Sequence, residues 1–341
     1  PFAPSFDFIW GASHDNVRRW RAANSEIVVG QYMQWNLGDW FARRDSRVNQ
    51  SQILPWLQAH HPDWIMYKCD RKTIQMHDGK FPLIDVTQPS VVQWQLGLYA
   101  GKDSPLIKAG YNAISGDNFL MGLEEHPNHT ACGHFAKNGS WVQQYTGHTW
   151  DPAWERDMLQ WLQDFYTGLQ DVDARYRPLL ILNFDLSWCR QGGCHWDDER
   201  VWHVGNYSDA ALNEGAFGWD VTGHLREPQD SGPMALWKDD LMWASNLQQH
   251  GKGYFPIVES LNASSPVQSV AKEFEAAVSD DDWVWYLASY LLAKGNASAM
   301  YVTPVFPRGT EHDSYTYGRV PWFEQRYRAA SAIGAAAQHM R

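Results

Sequence analysis

Runs of apolar residues of strand length alternate with stretches of helical periodicity along most of the chain. An apolar run of about four to eight residues predicts a buried strand, and apolar residues spaced three and four apart predict an amphipathic helix. Eight runs predict strands, at residues 6–11, 27–33, 63–68, 111–117, 178–186, 211–216, 254–259 and 298–303. The segments between them are long enough to hold helices.

The clearest helix is expected to begin at Asp151. This residue is a suitable N-cap, Pro152 occupies the first helical position, and apolar side chains recur on one face from Met158 to Leu169. Three more helices are expected, at 233–250, 268–294 and 320–339. Gly251 is expected to end the first of these three.

The number of repeating units indicates the fold class. Eight β-then-α units in 341 residues favour a closed parallel barrel over an open doubly wound sheet, which usually has fewer strands. No glycine-rich dinucleotide or phosphate loop follows the first run, which counts against a Rossmann-type fold. The expected fold is one α/β domain over residues 1–341, a (β/α)8 TIM barrel. Segments 118–150 and 187–210 are expected to be elaborated loops above its mouth.

Charge and hydropathy exclude two classes of partner. The net charge is −11, and the 28 Lys and Arg residues are scattered instead of forming a basic stripe, so no nucleic acid partner is expected. No apolar stretch approaches the roughly 18 residues of a membrane span. The start at Pro1 lacks the pattern of a signal peptide. We therefore expect a soluble chain from which any signal peptide has been removed.

Four cysteines offer either two disulfides or four thiols. Cys189 and Cys194 enclose a short glycine-containing loop that a disulfide could close, and a Cys69–Cys132 pair would follow by elimination. Three connectivities are formally possible. A zinc site is disfavoured because the Cys-x4-Cys spacing has no second matching pair.

Asn-x-Ser/Thr sequons favour a secretory route. Six of them occur without proline in the middle position, at Asn49, Asn128, Asn138, Asn206, Asn262 and Asn296. Chance would give about one or two of these acceptor sites. A secreted, extracellular glycoprotein is therefore expected, and its compartment would preserve disulfides.

Acidic residues stand at the ends of several predicted strands, which is where barrel enzymes carry their catalytic groups. Asp117 ends the fourth run and Glu214 lies in the sixth, each beside a glycine that leaves room for a ligand. Glycoside hydrolysis needs two carboxyl groups at the scissile bond, one protonated and one ionised. Asp117 and Glu214 form the leading catalytic pair, with Asp185 and Glu259 as alternatives.

Aromatic and polar residues at strand ends and in the predicted loops fit a carbohydrate substrate. Aromatic faces stack on sugar rings, and polar groups bond their hydroxyls. The candidate substrate-binding residues are Trp10, Tyr32, Trp35, Lys68, Asn118, Asn183, Asp185, Trp188, Glu259 and Tyr301. No His-x-x-x-His or His-Glu-x-x-His spacing suggests a catalytic metal, no Gly-x-Ser-x-Gly elbow suggests a serine hydrolase, and no cofactor is expected.

Four segments together resemble a known family of enzymes. They are Pro82-Leu-Ile-Asp85-Val-Thr-Gln-Pro89-Ser-Val-Val-Gln-Trp94-Gln, Ala109-Gly-Tyr-Asn-Ala-Ile-Ser-Gly-Asp117-Asn118, Leu182-Asn183-Phe-Asp185 and Asn213-Glu214-Gly-Ala-Phe-Gly218. The chain resembles the glycoside hydrolases grouped as hypothetical glycosyl hydrolase family 15, and more distantly the retaining barrel enzymes of the α-galactosidase and dextranase type. The resemblance extends from about Phe6 to Pro304.

The resemblance implies a nucleophile at the end of the fourth strand and an acid/base at the end of the sixth. These roles fall on Asp117 and Glu214, whose carboxyl groups would then be about 5–5.5 Å apart. Asn112 and Gly116 depart from the family's pattern. The expected function is a secreted glycosidase acting on an oligo- or polysaccharide by a retaining mechanism.

Two other functions are compatible with the same sequence. One is a non-catalytic extracellular glycan-binding or structural glycoprotein on a hydrolase-like barrel, because a fold alone does not establish activity. The other is an inverting hydrolase or a glycan lyase whose second catalytic residue is Asp185 or Glu259.

Overall fold

The computed structural model describes the chain in ranges separated by gaps. The described residues are 7–11, 14–34, 53–77, 81–117, 119, 131–148, 150–186, 189, 194–214, 216–217, 233–260, 280–295 and 301–304. The chain divides into two compact units. The first consists of Pro1–Cys194 and Glu199–Asp209, and the second of His195–Asp198 and Ala210–Arg341.

Strands and helices alternate along much of the described chain. The strands are β1 (Phe8–Ile9), β2 (Val28–Gln34), β3 (Met66–Lys68), β4 (Met76–His77), β5 (Phe81–Pro82), β6 (Ala113–Asp117), β7 (Ala131–Phe135), β8 (Trp141–Gln143), β9 (Leu179–Asn183), β10 (Ala210–Glu214), β11 (Gly253–Ser260) and β12 (Tyr301–Pro304). The α-helices are α1 (His14–Ala23), α2 (Ile53–His60), α3 (Pro89–Tyr99), α4 (Pro105–Ala109), α5 (Pro152–Gln170), α6 (Glu199–Asn206), α7 (Pro233–Gln249) and α8 (Asp280–Ala293).

A parallel sheet forms the centre of the first unit, with strands in the order β1-β2-β6-β9. Most residues of β2, β6 and β9 are buried, on both faces of the sheet. Parallel strands covered on both faces read as nearly continuous apolar runs, which is why the sequence pattern located them. Four of the eight predicted strands therefore lie in this sheet.

The predicted strand at 63–68 has a different partner. Only its last three residues form a strand, β3, which pairs antiparallel with β7, and β7 pairs antiparallel with β8. Met66 is buried, while Tyr67 and Lys68 are partly exposed, as is common in antiparallel sheets with one solvated face. β7 and β8 lie inside segment 118–150, where the sequence predicted only a loop.

The prediction of a closed (β/α)8 barrel is wrong. Among the described strands, β3 belongs to a separate antiparallel sheet and does not extend the parallel one, so the eight predicted strands do not form one closed parallel barrel. An apolar run specifies a strand, but its length and composition do not specify the strand with which it pairs. The expectation of a single domain over residues 1–341 stays a prediction.

The second unit contains parallel strands β10, β11 and β12, each in register with the next. Two helices, α7 and α8, pack together in this unit, and both contact β11. Tyr254 of β11 is fully buried, with Trp243 of α7 at a ring-centroid distance of 5.9 Å. The helix α7 agrees with the one that the sequence pattern predicts at 233–250.

Helix α5 forms as its sequence predicts. The side chain of Asp151 accepts a hydrogen bond of 2.8 Å from Ala153 N, and Pro152 follows in the first turn. The apolar face of the helix is buried, and Trp161 donates a 2.8 Å hydrogen bond to Gln95 of α3. The indole N–H is thus satisfied although its ring lies in the core.

Asn112 joins β2 to the start of β6. Its side-chain oxygen accepts a 2.7 Å hydrogen bond from Val29 N, and its amide nitrogen donates a 3.0 Å bond to Ile27 O. An aspartate could accept the first bond but could not donate the second. The departure of this residue from the family's pattern therefore has a structural role here.

A buried ion pair links β7 to the segment that precedes α3. His134 Nδ1 lies 3.0 Å from Asp85 Oδ2, and both side chains are almost fully buried. Its hydrogen bond to Asp85 raises the pKa of His134, against the opposing effect of burial. Burial raises the pKa of Asp85, but hydrogen bonds from His134 and Thr87 outweigh this effect and the pKa is lowered. Both groups therefore favour their charged forms.

Two disulfides are present, and they confirm the predicted pairing. Cys69 is bonded to Cys132 with their Cα atoms 5.0 Å apart, and Cys189 is bonded to Cys194 with a Cα separation of 5.6 Å. The first bond ties the chain after β3 to β7.

None of the described helices is both long and apolar enough to cross a bilayer.

Candidate active site

A row of polar side chains ends the parallel sheet of the first unit. Gln34 of β2 is in register with Asp117 of β6, and Asn183 follows the register of β6 with β9 by one residue. In a parallel sheet, residues in register project to the same face. The carboxyl ends of parallel strands are where such folds bind ligands. This row is therefore the candidate site of the first unit.

The carboxylate of Asp117 accepts hydrogen bonds on both oxygens. Asn183 Nδ2 donates a 2.7 Å bond to Oδ1, and the hydroxyl of Tyr32 donates a short bond to Oδ2. Gln34 Nε2 lies 3.1 Å from the same hydroxyl oxygen and donates to it. Since Tyr32 accepts from Gln34, its own proton is directed to Asp117. The arrangement suits an ionised carboxylate, which can only accept.

Burial in this row leaves Asp117 partly open to solvent. Asn183 and Gln34 are buried, whereas Asp117 and Tyr32 are half-buried. The amide side chains of Asn183 and Gln34 are buried, whereas the carboxylate of Asp117 is accessible to solvent. A group that must contact a substrate needs this combination of fixed orientation and access.

A glycine and a serine allow these strands to approach closely below the site. A Cβ placed on Gly30 would overlap Ser115 Oγ and would stand 2.9 Å from Trp10 O. Gly30 precedes Tyr32 by two residues, and Ser115 precedes Asp117 by two, so all four project from the same sheet face. The small residues thus bring the site-bearing strand ends together.

Other predicted residues of the first unit lie at different positions. Asp185 follows β9 by two residues and is 7% exposed, and Trp10 directly follows β1. Lys68 ends β3 in the antiparallel sheet, so it is not at the carboxyl end of a parallel strand. Its expected role in binding substrate stays a prediction.

Three predicted residues belong to the parallel strands of the second unit. Glu214 is the last residue of β10, Glu259 is the penultimate residue of β11, and Tyr301 is the first residue of β12. The backbone positions of Glu214 and Glu259 agree with a strand-end site, while Tyr301 stands at the amino end of its strand. The side chains of these three residues lie outside the described residues. Trp35, Asn118 and Trp188 lie outside them entirely.

The sequons are described at two positions. Asn138 lies in the turn between β7 and β8 and is exposed, and Asn206 ends α6 and is exposed as well. Both therefore have the access that an attached glycan needs. The remaining sequons lie outside the described residues, at Asn49, Asn128, Asn262 and Asn296.

Sequence reasoning missed two side chains that organise the strand ends. Gln34 orients Tyr32, but the predicted strand stops one residue before it. Asp240 of α7 contacts Asn213 and Phe217, on either side of Glu214. A polar residue ending an apolar strand could have indicated Gln34. An acidic residue within a helix carries no comparable signal for Asp240.

Within the described ranges, no group of three or more His, Cys, Asp or Glu residues is arranged to hold a metal ion. The polar row instead presents one carboxylate, two amides and one phenol, from Asp117, Asn183, Gln34 and Tyr32. This set can hold a nucleophilic or charge-stabilising carboxylate and can bond to hydroxyl groups.

No protein-family model matches the sequence, and no curated protein sequence matches it.

Proposed function

We propose that the chain is a secreted glycoside hydrolase that cleaves an oligo- or polysaccharide with retention of configuration. The observation that carries the proposal is Asp117, a partly exposed carboxylate at the carboxyl end of β6 that accepts hydrogen bonds from Tyr32 and Asn183. The resemblance to hypothetical glycosyl hydrolase family 15 supports the same assignment. In this proposal Asp117 is the nucleophile and Glu214 is the acid/base.

The proposed reaction has two steps. Asp117 attacks the anomeric carbon and forms a covalent glycosyl-enzyme while Glu214 gives its proton to the departing glycosidic oxygen. Glu214 then takes a proton from water, which attacks the same carbon and releases Asp117. Tyr32 and Asn183 hold the attacking carboxylate in one orientation, which lowers the entropic cost of reaching the transition state.

The carbohydrate class of substrate is supported by residues on and after the parallel strands of the first unit. Tyr32 of β2 and Trp10, which follows β1, supply aromatic side chains, and Asp185, which is 7% exposed, supplies a second carboxylate beyond β9. Sugar rings bind by stacking on aromatic faces, and their hydroxyls bond to carboxylates and amides. These residues are therefore proposed to bind the glycan.

Activity measurements on matched variants test the proposal. Wild-type protein, Asp117→Asn, Glu214→Gln and the exposed helix variant Asp164→Asn would be assayed against a glycan panel and activated aryl glycosides. We expect Asp117→Asn to lose nearly all turnover and Asp164→Asn to retain it. Glu214→Gln should lose about 10²–10⁴-fold on natural linkages and much less on an aryl glycoside whose leaving group needs no proton.

The stereochemistry of the first product provides an independent measurement. Proton NMR of the product before mutarotation should show the anomer of the substrate, because two displacements restore the configuration. Inversion would overturn the retaining mechanism. Absence of turnover on the whole panel, or full activity of both carboxylate variants, would overturn the proposed function.

Secretion is the second part of the proposal. It is supported by two disulfides and by the exposed sequons at Asn138 and Asn206. In protein from the native source, peptide mapping after enzymatic deglycosylation in heavy-oxygen water should mark both asparagines, and thiol titration should find no free thiol. Unmodified asparagines together with four reactive thiols would contradict secretion.

A further inference from the structure

Asp240 contacts residues on both sides of Glu214. Its Oδ1 accepts a 3.0 Å hydrogen bond from Asn213 Nδ2, and its Oδ2 lies 3.4 Å from Phe217 N. Asn213 immediately precedes Glu214, and Phe217 follows it by three residues. One carboxylate on α7 therefore holds both ends of the short segment that carries Glu214.

Asn213 is fixed by a second partner as well. Its amide nitrogen lies 3.2 Å from the hydroxyl of Tyr254 on β11, and both Asn213 and Tyr254 are fully buried. An amide NH₂ has two protons, so it can donate to Asp240 and Tyr254 at once. The residue before Glu214 is thus held from a helix and from a neighbouring strand.

Phe217 has an unusual backbone conformation for its side chain. Its φ is 64°, in the left-handed region. This region is sterically unfavourable for an L-residue with a side chain. Its N–H faces Asp240, its carbonyl accepts a 3.1 Å hydrogen bond from Trp285 Nε1 of α8, and its ring is buried. Strained backbone persists where surrounding contacts over-determine it, and such residues cluster at functional sites.

We propose that Asp240 is a positioning residue for Glu214 in the hydrolytic reaction. The inference rests on the proposed function, in which Glu214 transfers the proton. Proton transfer requires the carboxyl group to lie within hydrogen-bond reach of the glycosidic oxygen, and a displacement of about 1 Å can cost about 100-fold in rate. The clamp from Asp240 prevents this displacement because it fixes Asn213 and Phe217 together.

Asp240→Asn tests the clamp, and Asp239→Asn is its matched control. A carboxamide has one acceptor oxygen, so its NH₂ group must face either Asn213 or the N–H of Phe217, and one contact is lost. Asp239 is the next residue of the same helix, and its Oδ2 lies 3.1 Å from His195 Nδ1. Its replacement perturbs the adjacent Asp239–His195 pair without removing the contacts of Asp240.

The effect should depend on the leaving group. For Asp240→Asn we expect kcat on a natural linkage to fall about 10- to 100-fold, with a small change in KM and a smaller loss on an activated aryl glycoside. The Asp240→Asn/Glu214→Gln double variant should be no slower than Glu214→Gln, because the clamp acts through Glu214. Asp239→Asn should match the wild type.

The outcomes separate this inference from the proposed function. If Glu214→Gln is impaired while Asp240→Asn equals Asp239→Asn, Asp240 does not position Glu214 and the proposed function stands. If Glu214→Gln is fully active, Glu214 is not the acid/base, and both this inference and the role of Glu214 in the proposed function are overturned.

A second variant covers the case in which Asp240→Asn does not fold. Trp285 is 36% exposed, and Trp285→Phe keeps an aromatic ring while removing the N–H that bonds to Phe217 O. We expect a smaller loss of kcat with the same dependence on the leaving group. Equal losses on natural and activated substrates would indicate a purely structural role and overturn the inference.

Discussion

The hydroxyl of Tyr32 donates a hydrogen bond to Asp117, joining side chains from two neighbouring parallel strands. Gln34 donates to the same hydroxyl over 3.1 Å and thereby directs its proton to the carboxylate. The orientation of Asp117 thus depends on a chain of contacts that begins on β2. Removing the hydroxyl oxygen of Tyr32 therefore tests whether this contact matters for the function of Asp117.

Tyr32→Phe should lower activity with little effect on folding. The change removes one oxygen and leaves Asp117 with its bond from Asn183, so we expect kcat to fall about tenfold, equal to about 1.4 kcal/mol of transition-state stabilisation. Tyr166→Phe is the control, because Tyr166 donates a 3.0 Å hydrogen bond to Asp209 in the same unit, away from the polar row. Steady-state kinetics would measure both variants. Similar activities for the two would argue against a role for Tyr32.

Asn112→Asp should destabilise the first unit. The aspartate would lose the donation to Ile27 O and would place a carboxylate beside that carbonyl, a loss we expect to cost about 1–3 kcal/mol. Asn24→Asp is the matched control. Its side chain accepts a 3.1 Å bond from Glu26 N in an exposed turn, and an aspartate can accept it equally well. Urea unfolding would measure both changes, and equal stabilities would contradict the assigned role of Asn112.

The ion pair of His134 and Asp85 should make stability depend on pH in a defined direction. The pKa of His134 is raised above its ordinary 6.5, so its contribution is fully present below about pH 6.5 and is lost as the pH rises through the folded-state pKa. The pKa of Asp85 is lowered from 3.8, so its contribution is present above that pH and is lost as the pH falls through its folded-state pKa.

The loss of stability caused by His134→Gln should therefore become smaller in alkaline solution. We expect the difference in unfolding free energy between wild type and variant to decrease from pH 6.5 upward, measured by urea titration at several pH values. His148→Gln changes an exposed histidine of the same unit and is the control. A deficit that stays constant from pH 6 to pH 9 would show that the pair does not titrate as described.

The two disulfides should differ in their effect on stability. Cys69 and Cys132 are 63 residues apart, and Cys189 and Cys194 are 5 apart. Loop-closure entropy gives about 4 kcal/mol for the longer loop and about 2 kcal/mol for the shorter one. The paired alanine variants, Cys69→Ala/Cys132→Ala and Cys189→Ala/Cys194→Ala, would be compared by urea unfolding. A larger loss for the second pair would contradict this order.

Sequence patterns predicted secondary structure correctly where it depends on residues that are close together in the chain. The strand β6 and the helix α5 form as predicted, because apolar spacing, an N-cap and a following proline act within a few residues. The candidate site was partly predictable for the same reason. Asp117 ends the fourth predicted strand, and parallel strands bring their carboxyl ends to one edge. Asn183 was a candidate inside the strand predicted at 178–186, and only the structure shows that β9 ends at this residue.

The features that sequence patterns missed depend on contacts between distant segments. The predicted strand that contains Met66–Lys68 pairs antiparallel with β7, a choice that depends on the partner available in the folded chain. No sequence pattern predicts the left-handed backbone of Phe217 or its contact with Asp240, because neither residue type indicates the other.

The sequence by itself indicated the positions of most of the parallel strands, the favoured pairing of the cysteines and the polar end of β6. Tertiary structure alone decided that these strands do not form a closed eight-stranded barrel, that Tyr32 and Asn183 hold Asp117, and that Asp240 holds the segment around Glu214. The physical reason is the distance along the chain over which each kind of interaction acts. Periodicity and capping act between near neighbours in the chain, whereas strand pairing and side-chain hydrogen bonds depend on which distant residues the folded backbone brings together.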